Sequence, residues 1–325
     1  MKRRRPLRST GTQSLRNRGA PLLQAAGMPP PQVAGTPLLR DAMRPAPTRA
    51  ALVVVALTLF TSLSPVSAGS PGPQVALSAE QIVERSHQAY YYAGDDMKAR
   101  VTMELIGAGG DTRSRIMTML RRNDAARRNQ KYFVYFHEPG DVRGMTFMVW
   151  KNVERNDDRW IFVPAVDLIR RIAADDSRSS FVGSDFTYED VSGREVAADS
   201  HTISREEELE GRPCFVVEST PLDPAEYTRR VSWIDTTSFL PLKEEYYDVQ
   251  GELYRVFTAA GIEEIAIGEG PGATSYPTAM HRTMTNVKTG HRTDVTFNEI
   301  TYNIGLSDED FSERSMRRPP RDWIR

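Results

Sequence analysis

Residues 116–150 decide the fold class: IMTMLRRNDAARRNQKYFVYFHEPGDVRGMTFMVW. A polar loop and the turn at Glu138–Asp141 separate three short apolar runs, Ile116–Leu120, Tyr132–Phe136 and Met145–Trp150. Runs of this length, rich in aromatic residues and bounded by Gly, Pro, Asn and Asp, are typical of strands. The stretch therefore predicts three consecutive strands joined by short connections.

The two-residue period continues on both sides of this stretch. Val101, Met103 and Leu105 alternate with polar residues before it, and the strand-like run Trp160–Val163 follows it. Further strands are predicted at 201–209, 214–219, 228–235, 242–248, 253–258, 280–287 and 292–300. Short strands at this spacing, without helices between them, indicate an antiparallel sheet curled into a barrel or half-barrel.

One helix precedes the strands. Ser78 can accept a hydrogen bond from the amide of Gln81, and the Gln81 side chain can reach back to the amide of Ser78, which is the signature of a capping box. From Ile82 to Tyr90 the apolar positions follow the helical period. The sequence predicts a helix that ends near Ala93 and buries one face.

The first 68 residues are expected to direct export. Residues 1–49 have a net charge of about +9 and are rich in Pro, Gly and Arg, which predicts a disordered extension, and translation from Met43 would omit most of it. Residues 50–63 form an uncharged apolar run, shorter than the roughly 20 residues of a membrane-spanning helix. With residues 50–68 as the signal core and cleavage site, we expect cleavage after Ala68 and export from the cytoplasm; a single membrane anchor is the alternative.

Residues 69–325 form an acidic chain with a net charge of about -10. That sign argues against nucleic acid as a partner, since phosphate binding needs clustered cations. Cys214 is the single cysteine, so no internal disulfide can form, and its apolar surroundings predict an inert core thiol.

The sequence contains no established catalytic signature, and no cofactor or metal is expected. His281 and His291 could meet across a hairpin and bind a metal, but isolated strand histidines are more often structural. Several carboxylates could instead supply the acid pair of a glycosidase. They are Asp157, Asp158, Asp175, Asp176, Asp185, Glu189 and Asp190.

The predicted inner faces of the strands carry large or flexible apolar groups. Unbranched thioethers adapt to irregular partners, which suits a cavity for acyl chains, although a filled hydrophobic core is the alternative. The candidate lining residues are Val101, Met103, Leu105, Met117, Met119, Phe133, Tyr135, Phe147, Val149, Trp160 and Phe162.

Several blocks of the sequence together carry a resemblance to known proteins. The most specific block is residues 180–190, SFVGSDFTYED. The other matching blocks are Ile82–Tyr90, Arg115–Arg122, Phe136–Lys151, Asp158–Pro164, Arg170–Ile172 and Leu306–Arg317. In these blocks the chain resembles the LolA-like periplasmic outer membrane lipoprotein-sorting proteins, and in particular their longer branch associated with RND-type exporters. The resemblance covers essentially all of residues 77–317.

The resemblance implies a mainly β domain over residues 69–325, an incomplete antiparallel β-barrel wrapped round the N-terminal helix and closed by helical lid segments. It also implies a non-enzymatic carrier that is located in the periplasm. Such a carrier would shield the acyl chains of a lipid or lipoprotein and pass them to an inner-membrane RND-type exporter or an outer-membrane acceptor. An envelope hydrolase using paired carboxylates and an exporter-docking module that carries nothing are the alternatives.

Residues 168–191 lack a clear period and are expected to form a long loop with a short helix. In the carrier hypothesis the segment 165–190 gates the cavity, with Arg170 and Arg171 meeting Asp185 or Glu189. The candidate gate residues are Arg170, Arg171, Asp185, Phe186, Tyr188 and Glu189.

Overall fold

The computed structural model describes residues 76–173, 178–223 and 225–324. The expected export signal, its cleavage site and the pair Asp175 and Asp176 lie outside these residues. None of the helices in the described ranges combines the length and the apolar character that crossing a membrane requires.

The described residues form a mainly β structure with four α-helices and several short 3-10 turns. The strands are β1 (Asp96–Ile106), β2 (Thr112–Asn123), β3 (Gln130–Glu138), β4 (Thr146–Lys151), β5 (Asp158–Val163), β6 (Leu168–Ile172), β7 (Asp199–Leu209), β8 (Arg212–Pro221), β9 (Arg229–Asp235), β10 (Pro241–Tyr247), β11 (Leu253–Ile267), β12 (Thr274–Asn286) and β13 (His291–Tyr302). The helices are α1 (Ala79–Tyr91), α2 (Tyr188–Ser192), α3 (Glu313–Arg317) and α4 (Arg321–Ile324).

All thirteen described strands belong to one antiparallel sheet that does not close into a barrel. Its order is β6-β5-β4-β3-β2-β1-β13-β12-β11-β10-β9-β8-β7, so β6 and β7 are the two edges. The chain between β6 and β7 joins these edges, and we call its described part, residues 178–198, the strap. The expected incomplete antiparallel barrel is confirmed.

The sequence-based expectation of a loop from residue 168 onward is wrong at its start. Leu168–Ile172 is strand β6, which pairs with β5 through Trp160 opposite Arg171 and Phe162 opposite Ile169. An edge strand this short, with exposed arginines at Arg170 and Arg171, shows no alternation of apolar and polar residues. Periodicity alone therefore could not identify it.

Helix α1 begins as its sequence predicts. The Ser78 side chain accepts a hydrogen bond from the amide of Gln81 at 3.2 Å, and the amide of Ser78 donates to Oε1 of Gln81 at 3.0 Å. The buried side of the helix, including Ile82, packs with Val217 of β8 and Ile234 of β9. We call the sheet face that carries α1 and the strap the inner face.

The opposite, outer face is covered over β2–β5 by the C-terminal segment, residues 304–324. Phe311 and Met316 are fully buried there against strand residues such as Leu120 and Met148. One carboxylate fixes the start of the segment, since Asp96 accepts three backbone hydrogen bonds, from Ile304, Gly305 and Leu306, at 2.6–2.8 Å. These strands are therefore buried on both faces.

A partly buried histidine of α1, His87, is expected to make stability depend on pH. The ring of His87 lies against those of Tyr91 and Tyr92, at 5.1 and 5.4 Å between centroids, and its Nε2 has no hydrogen-bond partner. Burial, with smaller contributions from the charges of Lys151 and Arg230, lowers the pKa of His87 to about 3. Its imidazole therefore stays neutral in the folded protein at pH values where the unfolded chain is protonated.

We predict that replacing Ser78 with Ala destabilises the protein by about 1 kcal/mol, because the first turn of α1 loses its cap. Ser78→Asp is the control, since aspartate also caps helices. The measurement is the free energy of unfolding in urea. Equal losses in the two variants would contradict this role of the hydroxyl.

We also predict that acid destabilises the protein partly through His87. A pKa lowered by folding means that the unfolded state binds more protons, so stability is complete above about pH 6.5 and is lost as the pH falls towards 3. His87→Phe should reduce this loss by up to about 1.4 kcal/mol per pH unit. The measurement is unfolding at pH 7 and pH 5, with His281→Gln at an exposed histidine as the control.

Some acid sensitivity should remain in His87→Phe, because burial also lowers the pKa of His137, to about 4. An unchanged difference in stability between pH 7 and pH 5 in His87→Phe would contradict the assignment.

Candidate functional site

A cavity of about 80 Å³ lies between the inner face, α1 and the strap. We call it the inner cavity. Its lining is mostly apolar and aromatic, with two arginines and one carboxylate. The lining residues are Tyr90, Tyr91, Met97, Val101, Met103, Met117, Met119, Arg121, Tyr132, Phe181, Phe186, Asp190, Val191, Arg282, Val295, Phe297 and Tyr302.

Strand register explains why these side chains share one face. Val101 of β1 is opposite Phe297 of β13 on one side and Met117 of β2 on the other, and directly paired residues project to the same face. Four residues earlier on β1, Met97 is likewise flanked by Tyr302 and Arg121. The floor of the cavity therefore combines thioether, aromatic and guanidinium groups.

Aromatic side chains of the strap fill most of the space above this floor. Phe181 is 1% exposed and lies 5.2 Å from the ring of Phe147, and Tyr188 lies 5.0 Å from the same ring. Further along the sheet, Phe186 packs near Phe257, with 6.4 Å between centroids. The strap thus occupies volume that a ligand would otherwise take.

Part-buried polar contacts tie the strap to the sheet at two points, Asp185 and Asp190. Asp190 of α2 forms a two-pronged ion pair with Arg255 of β11, at 2.9 and 3.2 Å. Asp185 accepts hydrogen bonds from His291 Nδ1 at 2.5 Å and from the Thr293 hydroxyl at 2.7 Å, both on β13. The strap is therefore fixed by long-range charged contacts as well as by its aromatic residues.

A second, more polar cavity of about 60 Å³ adjoins the first. The two cavities share Tyr90, Tyr91, Phe186 and Asp190 in their linings. The polar groups that face the second cavity alone include Ser86, His87, Arg194, Arg230, Ser232 and Glu244. The inner face thus changes from apolar to polar across the tyrosines at the end of α1.

The structure brings together seven of the eleven expected lining residues. Val101, Met103, Met117 and Met119 line the inner cavity. The other three belong to the same buried cluster without lining it. They are Leu105, Phe147 and Val149.

The remaining four expected lining residues lie on the outer face, so the expectation that they face inward is wrong. They are Phe133, Tyr135, Trp160 and Phe162, and they pack in the cluster under the C-terminal segment. Met119 of β2 is opposite Val134, and Met117 is opposite Phe136, so the inner residues of β3 are its even-numbered ones. The same register continues into β4 and β5, where Phe133, Met148 and Trp160 lie side by side.

The expected pairing of the gate residues is also wrong. Arg171 pairs with Asp158 of β5, and Arg170 is exposed on the edge strand β6. Asp185 pairs with His291, and Glu189 with Arg194 at 3.3 Å. The strap contacts β13 and β11, so its acids Asp185 and Asp190 pair with residues of those strands and not with the arginines of β6. Phe186 and Tyr188 are buried in the strap, as described above.

The carboxylates proposed for a hydrolase are held in ion pairs rather than facing each other over an open site. Asp157 pairs with Arg159 at 2.7 Å, Asp158 with Arg155 at 2.6 Å, and Asp190 with Arg255. A pairing of this kind suits a structural role.

The proposed metal pair does not come together, because His281 is opposite Thr296 and His291 is opposite Asn286 in the β12–β13 ladder. Among the described residues, no group of three or more metal-ligating side chains is present. Cys214 is buried in an apolar cluster, and burial raises the pKa of its thiol.

Sequence reasoning missed the cations of the inner cavity, Arg121 and Arg282. The signal for Arg121 was available, since Met117, Met119 and Arg121 are two residues apart on one strand and must share a face. Arg282 lies opposite Val295, which in turn is opposite Met103, so its assignment needed the strand order as well.

The sequence and the structure both match known proteins. One family model, described as "Uncharacterized protein", matches residues 128–318. A search of the curated proteins finds no match.

Among solved structures, a domain from Vibrio parahaemolyticus described as an outer membrane lipoprotein-sorting protein domain is 28% identical. The match covers 74% of this chain and 98% of the Vibrio domain, with a TM-score of 0.65. A DUF1329 family protein from Desulfovibrio piger is 24% identical over 73% of this chain and 97% of that chain, with a TM-score of 0.66. A LolA superfamily protein from Nitrosomonas europaea is 20% identical over 74% of this chain and 99% of that chain, with a TM-score of 0.57.

The family model covers more than half of the chain, and the solved structures match it over nearly their whole lengths. The chain therefore belongs to the family of that model, and its fold is that of the LolA-like outer membrane lipoprotein-sorting proteins.

Proposed function

We propose that the protein is a non-enzymatic carrier that shields the acyl chains of a lipid or lipoprotein in the inner cavity during passage through the periplasm. The observation that supports this most directly is the apolar floor of the cavity, which aromatic residues of the strap cover. The likeness to a domain described as lipoprotein-sorting agrees with this role.

The physical task of such a carrier is modest. Each methylene kept from water contributes about 0.8 kcal/mol, so a chain of about fourteen methylenes represents roughly 11 kcal/mol of transfer free energy. A carrier has to match that environment and release its cargo to a slightly better acceptor. A tenfold preference for the acceptor requires only about 1.4 kcal/mol. No cofactor is needed for this exchange.

Cargo binding requires the strap to move. A cavity of about 80 Å³ has room for a handful of water molecules, and it is well below the roughly 300 Å³ of the smallest ordinary ligand pockets. Phe181 and Phe186 line this cavity from the strap. Withdrawing these rings would enlarge the cavity without disturbing any strand.

The expected export signal would place the protein in the periplasm after cleavage at Ala68. There it would receive cargo and deliver it to an outer-membrane acceptor or work with an inner-membrane RND-type exporter. The acidic net charge of residues 69–325 supports a diffusing carrier, since such a surface is repelled by anionic lipid headgroups.

The direct test is export of the full chain with its own leader, purification from the periplasm without detergent, native mass spectrometry and lipid extraction. We expect a stoichiometric adduct that extracts as an acyl lipid. A ligand-free mass that takes up neither phospholipid nor lipopeptide would contradict the carrier. It would favour the exporter-docking module, whereas turnover of glycan substrates would favour the hydrolase.

We predict that Met119→Trp reduces bound lipid about tenfold, because overpacking a cavity costs about 1–3 kcal/mol. Met119 lines the inner cavity and is only partly buried, so the larger ring can fill ligand space without displacing the core. Met119→Leu, which preserves volume and polarity, is the control. Equal lipid content in the two purified variants would exclude this part of the cavity as the binding site.

We predict that Asp190→Asn loosens the strap, because it leaves the guanidinium of Arg255 buried without its carboxylate. Breaking one partner of a buried ion pair costs about 3–5 kcal/mol. The measurement is hydrogen exchange at the strap amides of Phe181 and Ser184, which are bonded within the strap. Glu189→Gln, on the same helix, is the control, because its partner Arg194 keeps a second carboxylate partner in Asp199. Equal exchange in both variants would argue against the Asp190–Arg255 pair as the contact that fixes the strap.

A further inference from the structure

Two guanidinium groups line the inner cavity without a carboxylate partner. Arg121 of β2 is 3% exposed, and Arg282 of β12 is partly buried. Within the described ranges, no ion pair involves either residue. A buried cation without a counter-ion is unfavourable, so this arrangement calls for an explanation beyond packing.

Arg121 uses only part of its hydrogen-bonding capacity. One of its terminal nitrogens donates to the carbonyl of Ala93, and its Nε has no hydrogen-bond partner. Its guanidinium carbon lies 5.8 Å from the ring centroid of Tyr302, on the cavity floor. The side chain is thus held in place by a backbone carbonyl and an aromatic ring, and its charge is not neutralised.

Arg282 is held by two aromatic residues, Tyr90 and Phe297, and its side chain also forms a hydrogen bond with the Tyr90 hydroxyl. Its guanidinium carbon lies 4.3 Å from the ring centroid of Tyr90 and 4.3 Å from that of Phe297. Its Nε is buried and has no hydrogen-bond partner. Cation–π contacts position a guanidinium group while its fork of donors remains able to bind an anion.

Three other arginines near the strap are neutralised by carboxylates, which distinguishes them from Arg121 and Arg282. Arg255 pairs with Asp190, Arg159 with Asp157, and Arg230 lies 3.6 Å from both Asp199 and Glu244. Asp190 also lines the inner cavity, but its two oxygens are already bound to Arg255. The cavity therefore carries an excess of positive charge.

The two free cations also affect each other. Burial lowers the pKa of Arg121, and the charge of Arg282 contributes in the same direction. An anion near both groups would remove this repulsion and supply acceptors for the idle donors. Guanidinium groups bind phosphate and carboxylate with two parallel hydrogen bonds, which makes these the matching ligand groups.

We propose that the cargo is an anionic acyl amphiphile, whose phosphate or carboxylate group is bound by Arg121 and Arg282 while its chain lies over the methionine and phenylalanine side chains of the floor. The proposal rests on the carrier function above and specifies its cargo class. The acidic exterior and the cationic cavity then have separate tasks. The surface keeps the protein off anionic membranes, and the cavity selects an anionic ligand.

The test compares amphiphiles that share a palmitoyl chain and differ in their head groups. Lysophosphatidic acid carries a phosphate, palmitate carries a carboxylate, and monopalmitoylglycerol is neutral. We expect the protein purified from the periplasm and stripped of lipid to bind at least one anionic probe about tenfold more tightly than the neutral one, or about 1.4 kcal/mol. Whichever anionic probe binds more tightly identifies the source of the charge.

The double variant Arg121→Gln/Arg282→Gln should lose this preference while still binding monopalmitoylglycerol. Arg282→Gln alone, at the less buried site, provides the test if the double variant does not fold, and it should reduce the preference. The control is Arg122→Gln, next to Arg121 on β2 but paired with Asp308 of the C-terminal segment on the outer face. It should keep the wild-type preference.

Equal affinity of the wild-type protein for all three probes would overturn the cargo assignment and leave the carrier function standing. A preference for the anionic probes that survives in both arginine variants would also overturn the cargo assignment. No binding of any probe would overturn the carrier function and the cargo assignment together.

Discussion

The two edges of the sheet are joined by a single connection, and the rest of the site depends on that constraint. Strands β6 and β7 are consecutive in the chain but lie at opposite ends of a thirteen-strand order. The chain between them has to cross from one edge to the other, and its described part packs on the inner face. The aromatic cover of the inner cavity and the Asp190–Arg255 pair both follow from that crossing.

Local sequence rules predicted those parts of the fold that depend on neighbours in the chain. The cap at Ser78 is a contact over three residues, and α1 forms as expected. Strands other than β6 were found by their period, but the period alone could not distinguish the faces of β3 and β5. Because the C-terminal segment buries Phe133 and Trp160 on the outer face, both faces of these strands are apolar. Which face is inner is decided by contacts with the C-terminal segment, such as that between Thr146 and Met316, which are 170 residues apart in the chain.

The candidate site was less predictable because its charged contacts are long-range. Arg255 lies 65 residues from its partner Asp190, and His291 lies 106 residues from Asp185. Pairing Arg170 and Arg171 with acids of the same segment, Asp185 or Glu189, therefore gave the wrong partners. Arg121 could have been placed by alternation from Met117 and Met119. A polar residue within an apolar face was the strongest available sign of a ligand group.

The open sheet has a consequence for behaviour at high concentration. Unpaired strand edges are templates for intermolecular β-pairing and aggregation, and closed barrels avoid this by having none. Here β6 is only five residues long and exposes Arg170 and Arg171, while β7 exposes Arg205, Glu206 and Glu208 beside an irregularity in its ladder. Short length, charge and a bulge each discourage another strand from adding to the edge. The fold can thus leave its sheet unclosed without polymerising into fibres.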